Sequence, residues 1–288
     1  MPEWEAHFEI NGLFFSGMEF SKNFQIDEDF ELIKGRKSKP ESAIACLRVK
    51  TKEGEEMFHS ESYNNARKRV LNFISMHSVF RGLSPTIFAV GASGIDEAQP
   101  LGTSKLMFAE MSIKIPDEEK PRIFAREYGA LNRSIAFFKL NERILHENPY
   151  LMNAVHYFYH ASLARRIEEK LINFIVSLEA LYVTEPLELS YRLALRVACL
   201  VGNTYTDRTP KEIAAEIRNL YSKRSRVVHG NIKEITYDEI SRLEDYSRKS
   251  ITRFLRLASS QRNREEILNL LDDSIFDEEL RNSFQDNE

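Results

Sequence analysis

Residues 167–182 read IEEKLINFIVSLEALY, and this stretch decides the fold of the second half of the chain. Its apolar residues recur every three or four positions, which predicts a helix with one wide buried face. Working outward, similar patterns begin after Pro149 and continue to Leu257, with short connections between them. We therefore predict an all-α helical bundle over residues 149–265.

The first 120 residues follow a different pattern. Apolar and polar residues alternate over 4–11 and again over 107–115, which predicts strands with one buried and one wet face. The Asn11-Gly12 pair predicts a turn after the first of them. Apolar residues at helical spacing over 63–77 predict one helix. The expectation is an α+β domain over 1–120, an antiparallel sheet packed against that helix.

The predicted fold class is thus an α+β N-terminal domain, an antiparallel sheet with a helix, followed by an all-α helical bundle. Residues 121–148 are predicted to be a connecting segment. Residues 266–288 are predicted to form an acidic C-terminal tail.

Composition and charge exclude several classes of protein. The chain has 40 Lys+Arg against 44 Asp+Glu, a net charge of -4. It contains no apolar run long enough to span a membrane, and its first residues lack the basic start of a secretory signal. Cys46 and Cys199 are far apart, which excludes a disulfide scaffold and a cysteine-rich zinc site. We expect a cytoplasmic protein without a membrane partner.

Charge is distributed unevenly along the second half. Residues 201–264 carry 14 basic and 8 acidic residues, whereas 265–288 carry 1 basic and 9 acidic. A basic region of this kind predicts a local site for a polyanion such as RNA. Two interpretations of the acidic tail stay open: it folds over the basic surface and restrains nucleic acid, or it is a flexible, solubilising end.

The segment that carries chemistry is 221–230, which reads YSKRSRVVHG. Arg224 and His229 are five residues apart, about 140° around an ideal helix, so they converge only where the helix ends. Gly230 allows such an end. Histidine transfers protons near neutral pH, and the arginine fork suits phosphate oxygens. Together they could cleave an RNA backbone without a metal. The alternative is that His229 only caps its helix and the arginines are solvated or paired.

The same segment resembles the Arg-x4-6-His signature of HEPN domains and is most similar to the Apea-like HEPN branch. That branch has a hallmark similar to Tyr-x-x-Arg-Ser-x-x-x-His-Gly. Upstream, residues 177–182 (SLEALY) match its Leu-Glu-Ala-Leu segment, and residues 195–198 (LRVA) resemble its next helix. The resemblance covers roughly residues 150–260. The positions matching the hallmark are Tyr221, Arg224, Ser225, His229 and Gly230.

The resemblance implies a bundle of four or five helices that forms a homodimer, with two Arg-x-His segments facing a shared cleft. It implies a metal-independent endoribonuclease of antiphage defence, abortive infection or toxin–antitoxin growth arrest, which needs no cofactor. On this interpretation Arg224 and His229 are catalytic. The supporting residues are Ser225, Tyr221, Glu179 and Arg226. The RNA-binding residues are Lys223, Arg226 and Arg196.

The resemblance leaves an alternative function and several partners open. Some HEPN domains are inactive and serve as dimerisation modules that bind RNA, a nucleotide or a protein. An antitoxin or a sensor is a further possible partner, at the N-terminal domain.

Other polar clusters have a structural and a functional interpretation. His156 and His160 are four apart on a predicted helix, a spacing that metal sites use, but no third ligand is evident. We predict that the pair packs within the bundle. Two basic clusters are interpreted as exposed helix charges, with an extended RNA surface as the alternative; they are Arg165–Arg166 and Arg192 with Arg196. A third cluster, Arg67–Arg69, is interpreted as a solvated helix face.

Overall fold

A computed structural model divides the chain into two compact units, Met1–Lys139 and Leu140–Glu288. The structure describes the backbone of residues 3–15, 24–34, 41–50, 60–81, 86–94, 128–185, 188–230 and 234–284. Side chains are described for residues 26–32, 60–80, 133–185, 188–230 and 234–284.

Within its described residues, the first unit holds two helices and five extended segments. Helix α1 is Glu61–Arg81, and helix α2, Tyr128–Glu147, begins in this unit. Neighbouring extended segments pair antiparallel through their backbones, in the order β2-β3-β4-β1-β5. The segments are β1 (Glu3–Phe15), β2 (Phe24–Gln25), β3 (Phe30–Lys34), β4 (Glu41–Lys50) and β5 (Thr86–Gly94).

The predicted turn at Asn11-Gly12 is wrong. The first strand continues through both residues to Phe15, and its register against β4 shifts between Ile10 and Phe14. Residues 11–13 have no partner on β4 in this register, and extra residues of this kind bend a strand without ending it. The alternating segment 107–115 lies outside the described residues.

The described core of the first unit joins β3 to the two helices. Phe30, Phe73 and Phe138 have no exposed surface, and their rings meet edge to face at 5.4–6.4 Å. His77 Nδ1 lies 2.8 Å from the hydroxyl of Ser134, which ties α1 to α2. The helix predicted over 63–77 is confirmed, because α1 contains it.

The predicted fold class is wrong. Of the residues whose side chains are described, 80% are helical; they include one short strand, part of β3, and no second strand for it to pair with, so this part of the fold is mostly all-α. The alternating pattern of apolar and polar residues predicts strands, but it does not show how much of the hydrophobic core those strands supply. The described core depends on the apolar faces of α1 and α2 instead. Helix α2 also occupies most of the segment 121–148 that was predicted to connect two domains.

The second unit is built from helices with short connections. Helix α4 is formed by residues 167–182, the stretch that decides the fold, and it packs against α3, α6 and α7. Its residues Leu178, Leu181 and Tyr182 have no exposed surface, as the apolar stripe predicted. The helices are α3 (Pro149–Leu163), α4 (Ile167–Tyr182), α5 (Leu189–Val201), α6 (Pro210–Val228), α7 (Tyr237–Ser259), α8 (Arg264–Asp273) and α9 (Glu278–Ser283).

Local chemistry fixes both ends of α6, the helix that carries the candidate site. Thr209 and Glu212 form a capping box at its start, in which each side chain satisfies the other's backbone N–H, and Pro210 follows as the first helical residue. At its end the N–H of Gly230 donates to the carbonyl of Val227. Gly230 has φ +78°, a conformation that glycine adopts without strain. The predicted helix stop at Gly230 is confirmed.

The segment predicted as an acidic tail begins within α8. In α8, Ile267 and Leu271 have no exposed surface and pack into the second unit, where α8 contacts α5 and α7. The shorter α9 is capped by Asp277, whose side chain accepts from the N–H of Leu280. Across the described residues, no helix combines the length and the apolar character that a membrane span requires.

Candidate functional site

The candidate site lies where the C-terminal half of α4 meets the end of α6. Glu179 projects from α4, and Tyr221 and Arg224 project from α6, one turn apart. An ion pair joins Arg224 Nη2 to Glu179 Oε2 at 3.5 Å. The guanidinium carbon of Arg224 also lies 5.8 Å from the centre of the Tyr221 ring, within cation–π range. The structure therefore brings together three of the predicted site residues from two helices.

Tyr221 acts as a donor in this cluster. Burial raises the pKa of its phenol, and the nearby Glu179 carboxylate, to which the phenol donates a hydrogen bond, raises it further. The phenol is therefore protonated at neutral pH, so its hydrogen bond to Glu179 persists. Glu179 is held from two sides and can position the guanidinium of Arg224.

The guanidinium of Arg224 is only partly satisfied. Its side chain is 26% exposed, and its contact with Glu179 is longer than a hydrogen bond. Its Nε is buried and has no hydrogen-bond partner among the described residues. Buried donors of this kind are uncommon in folded proteins. Arg224 thus keeps N–H donors that an incoming anion could use.

His229 is the residue that ends α6. Its backbone N–H donates to the carbonyl of Ser225, its φ is -88° and its ψ is 12°, and its side chain is exposed. The exposed imidazole lies at the carboxyl end of a long helix, where unpaired carbonyls concentrate negative charge. It is therefore open to solvent and to a ligand, and the chain turns away immediately after it at Gly230.

Two of the predicted RNA-binding or supporting residues on α6 differ in accessibility. Lys223 lies within 2.6 Å and 2.8 Å of the two carboxylate oxygens of Glu239 and donates to the carbonyl of Glu234. The ammonium group of Lys223 is therefore paired with residues at and just before the start of α7. Arg226 is exposed in the last turn, on the solvent side of the helix, and Ser225 is half-buried beside it. Of these three side chains, only that of Arg226 is exposed to solvent.

The structure does not place Arg196 at the site. Its side chain is 7% exposed, and its Nε and Nη2 each lie 2.7 Å from an oxygen of Asp272. Its Nη1 donates to the carbonyl of Tyr182. The prediction of an RNA-binding role for Arg196 is corrected, because this guanidinium is saturated and buried between α5 and α8.

The other candidates fall elsewhere. His156 is half-buried and His160 is exposed on α3, and no group of three or more His, Cys, Asp or Glu able to hold a metal occurs among the described side chains. In the first unit, Arg69 pairs with Asp27. Arg165 and Arg166 precede α4, and Arg166 lies 3.5 Å from Glu168.

Sequence reasoning missed two features of the second unit. Glu239 is one, although the capping-box pattern Thr236-x-x-Glu239 at the start of α7 marks it. The other is a polar network beside an open cavity of about 430 Å³. There the hydroxyl of Tyr246 donates to Glu216 at 2.7 Å and accepts from Arg208 at 2.8 Å. Its members come from three separate segments, so no spacing in the sequence marks it.

Comparisons with protein-family models, with curated proteins and with solved structures find no match to this chain.

Proposed function

We propose that the protein is a HEPN-type, metal-independent endoribonuclease that cleaves RNA through attack of a 2′-hydroxyl on the adjacent phosphate. The observation that supports this most is the state of Arg224, a partly unsatisfied guanidinium positioned by Glu179 near the helix end that carries His229. The reaction type rests on the resemblance of residues 221–230 to the Apea-like HEPN hallmark.

In the proposed reaction the 2′-oxygen bonds to phosphorus and the bond to the 5′-oxygen breaks. The products are a 2′,3′-cyclic phosphate and a 5′-hydroxyl. His229 either accepts the proton of the 2′-hydroxyl or donates a proton to the departing 5′-oxygen. Arg224 stabilises the charge that grows on the non-bridging oxygens. Unstacked nucleotides reach the in-line geometry most easily, so the substrate is single-stranded or looped RNA.

A homodimer belongs to the proposal, because one imidazole cannot serve as base and acid at the same moment. A second copy of the bundle would supply the second His229 across a shared cleft, as the resemblance implies. Arg226, exposed in the same last turn, would contact the RNA backbone.

The cellular setting is a further part of the proposal. The two cysteines are far apart in sequence and Cys199 is a buried free thiol, which suits a reducing cytoplasm. Antiphage defence or growth arrest, and an antitoxin or sensor bound at the first unit, follow from the resemblance.

The test is RNA cleavage by the purified full-length protein in the presence of a chelator. We expect the wild type to cleave and His229→Ala to lose at least about a hundredfold in rate, the lower range for removing a general acid or base. His160→Ala is the matched control, because it removes another exposed helix histidine. Equal rates for the wild type and His229→Ala would disprove the proposal. RNA binding without cleavage by the wild type would favour the inactive module instead.

A further inference from the structure

A cavity near the end of α7 is lined by arginines and leucines. It measures about 380 Å³ and lies between the C-terminal parts of α5 and α7 and the helices α8 and α9. Three of its lining residues are Arg253, Arg256 and Arg262, and none of the described residues that line it is an Asp or Glu. The cavity therefore concentrates positive charge, although the whole chain has a net charge of -4.

Helix α7 and the segment after it supply the polar side of this cavity. Arg253 and Arg256 are three residues apart, and Ser260 lies one further turn along, so the three side chains follow one face of the helix. Arg262 lies in the connection between α7 and α8 and is exposed, as is Arg256. The period of the helix thus brings two guanidinium groups and a hydroxyl to the same side, and the connection adds a third guanidinium.

Arg253 is held at the wall of the cavity as a buried cation. It is only 5% exposed, and its Nη1 donates to the carbonyl of Leu200 near the end of α5. Burial lowers the pKa of its guanidinium, and the nearby charge of Arg256 also lowers it. An anion bound between these side chains would offset both costs, because an opposite charge stabilises a cation that has lost part of its hydration.

The rest of the cavity is mainly apolar. Its apolar walls are four leucines and one aromatic ring, all buried or half-buried: Leu200, Leu257, Leu270, Leu280 and Phe284. A volume near 380 Å³ falls within the range of small-molecule sites, which combine apolar walls with a few polar groups that orient the ligand. A ligand that suits this cavity therefore has an apolar body as well as negative charge.

We propose that this cavity binds a small organic phosphate, with its phosphoryl group among the three arginines and its organic body against the leucines and Phe284. A guanidinium presents a planar fork of N–H donors that matches the oxygens of a phosphate. A phosphate monoester has up to two negative charges and three terminal oxygens, so it can use several such forks. A carboxylate, with one charge and two oxygens, uses fewer of them.

The proposed phosphate site is separate from the candidate site. Its cavity shares no lining residue with the cluster of Glu179, Tyr221 and Arg224. Along α7, Arg253 lies roughly 21 Å from Glu239, the partner of Lys223, at 1.5 Å per residue. Binding of an organic phosphate therefore does not depend on the proposed function, and the failure of either proposal leaves the other standing.

Isothermal titration calorimetry of the full-length protein with phenyl phosphate tests this proposal. We expect phenyl phosphate to bind at least about tenfold more tightly than inorganic phosphate, because burial of the ring adds affinity. It should also bind more tightly than benzoate, which has the ring but a single charge. The proposal would be overturned if millimolar phenyl phosphate did not bind, or if inorganic phosphate or benzoate bound as tightly.

A double substitution shows whether the ligand occupies this cavity. Arg256→Ala with Arg262→Ala removes two exposed side chains, so the fold should persist, which thermal unfolding checks. The dissociation constant of phenyl phosphate should rise at least about tenfold, since charge-assisted hydrogen bonds are lost. Arg166→Ala is the matched control and should leave the constant unchanged, because Arg166 is exposed just before α4 and does not line the cavity.

Two further outcomes of these titrations would contradict the proposal. One is equal binding of phenyl phosphate by the wild type and the double variant, which would place the ligand elsewhere. The other is displacement of phenyl phosphate by a single-stranded RNA that has no terminal phosphate, which would make the arginines part of an RNA surface.

Discussion

Arg196 and Arg224 are two arginines of one helical unit, each facing a carboxylate, but the structure holds them in opposite ways. Arg196 is almost fully buried, and its three donor nitrogens all have partners, on Asp272 and the carbonyl of Tyr182. Arg224 is partly exposed, has one loose contact with Glu179, and its Nε has no partner among the described residues. A saturated guanidinium joins helices, whereas an unsaturated one keeps donors for a ligand.

The largest effect is expected at Arg224. Arg224→Ala should lower kcat/KM for RNA cleavage by about 10²–10³, the usual loss when one donor to a charged transition state is removed. The unfolding free energy should change by less than about 1 kcal/mol, because the ion pair with Glu179 is loose and partly solvated. Cleavage kinetics and urea unfolding of the same preparation measure both. Arg224→Lys, which retains charge without the planar fork, should recover only part of the rate.

A large effect of the opposite kind is expected at Arg196. Arg196→Ala should lower the unfolding free energy by about 2 kcal/mol, since it removes a buried guanidinium from a half-exposed carboxylate and leaves the carbonyl of Tyr182 without a donor. Urea unfolding measures the loss, and cleavage per folded molecule should be unchanged. The control is Arg192→Ala, one turn earlier on α5, where the partner Glu185 lies 3.5 Å away and both side chains are exposed. If both substitutions had the same effect, the distinction between saturated and unsaturated arginines would be lost.

A smaller effect is expected at Glu179, which positions Arg224. Glu179→Gln removes the negative charge but retains an acceptor, so kcat should fall roughly tenfold with KM little changed, since misplacement of a catalytic group mainly lowers the rate. The same substitution should lower the pKa of Tyr221 toward its ordinary value, because the carboxylate is one of the causes that raise it. Nuclear magnetic resonance of labelled tyrosine measures this shift. An unchanged Tyr221 pKa would show that the two side chains are not coupled.

The smallest effect concerns Glu239, the partner of Lys223. Burial alone would raise the pKa of Glu239, but hydrogen bonds from Lys223 and Thr236 outweigh it and hold the pKa below 4.5. A depressed pKa adds stability that is present above pH 4.5 and lost as the pH falls through the folded-state value. Glu239→Gln should therefore destabilise the protein by about 1 kcal/mol at neutral pH and by less in acid. Urea unfolding at several pH values measures this, and a difference that grew in acid would contradict it.

The helical half of the fold could be predicted because its signals are local. The stripe over 167–182 places Leu178, Leu181 and Tyr182 in the core, and Gly230 ends α6 where the sequence indicated. The first unit could not be predicted in the same way. The sequence shows alternation, but it does not show that Phe30 meets Phe73 and Phe138, a contact between distant segments.

In the candidate site, too, the contacts within one helix could be predicted from the sequence and the contacts between helices could not. Tyr221 and Arg224 are one turn apart, so their proximity follows from the period of a helix. Their contact with Glu179 was anticipated through a resemblance, since it depends on how α4 and α6 pack. The sequence could not distinguish Arg196 and Lys223 from solvated cations, because a buried or paired cation has the same letter as a solvated one. Only their carboxylate partners, Asp272 and Glu239, reveal the difference.

The central claim is that Arg224 acts on RNA phosphate together with His229, and the chemistry of the cleaved ends tests it most directly. RNA fragments would be collected after incubation with the full-length protein and a chelator, and their 3′ ends analysed by mass spectrometry. Wild type and Arg143→Ala, a substitution of a solvated arginine on α2, should both yield 2′,3′-cyclic phosphates, and Arg224→Ala should yield almost none. Ends that carry a 3′-hydroxyl, or cyclic phosphates formed equally well by Arg224→Ala, would contradict the account.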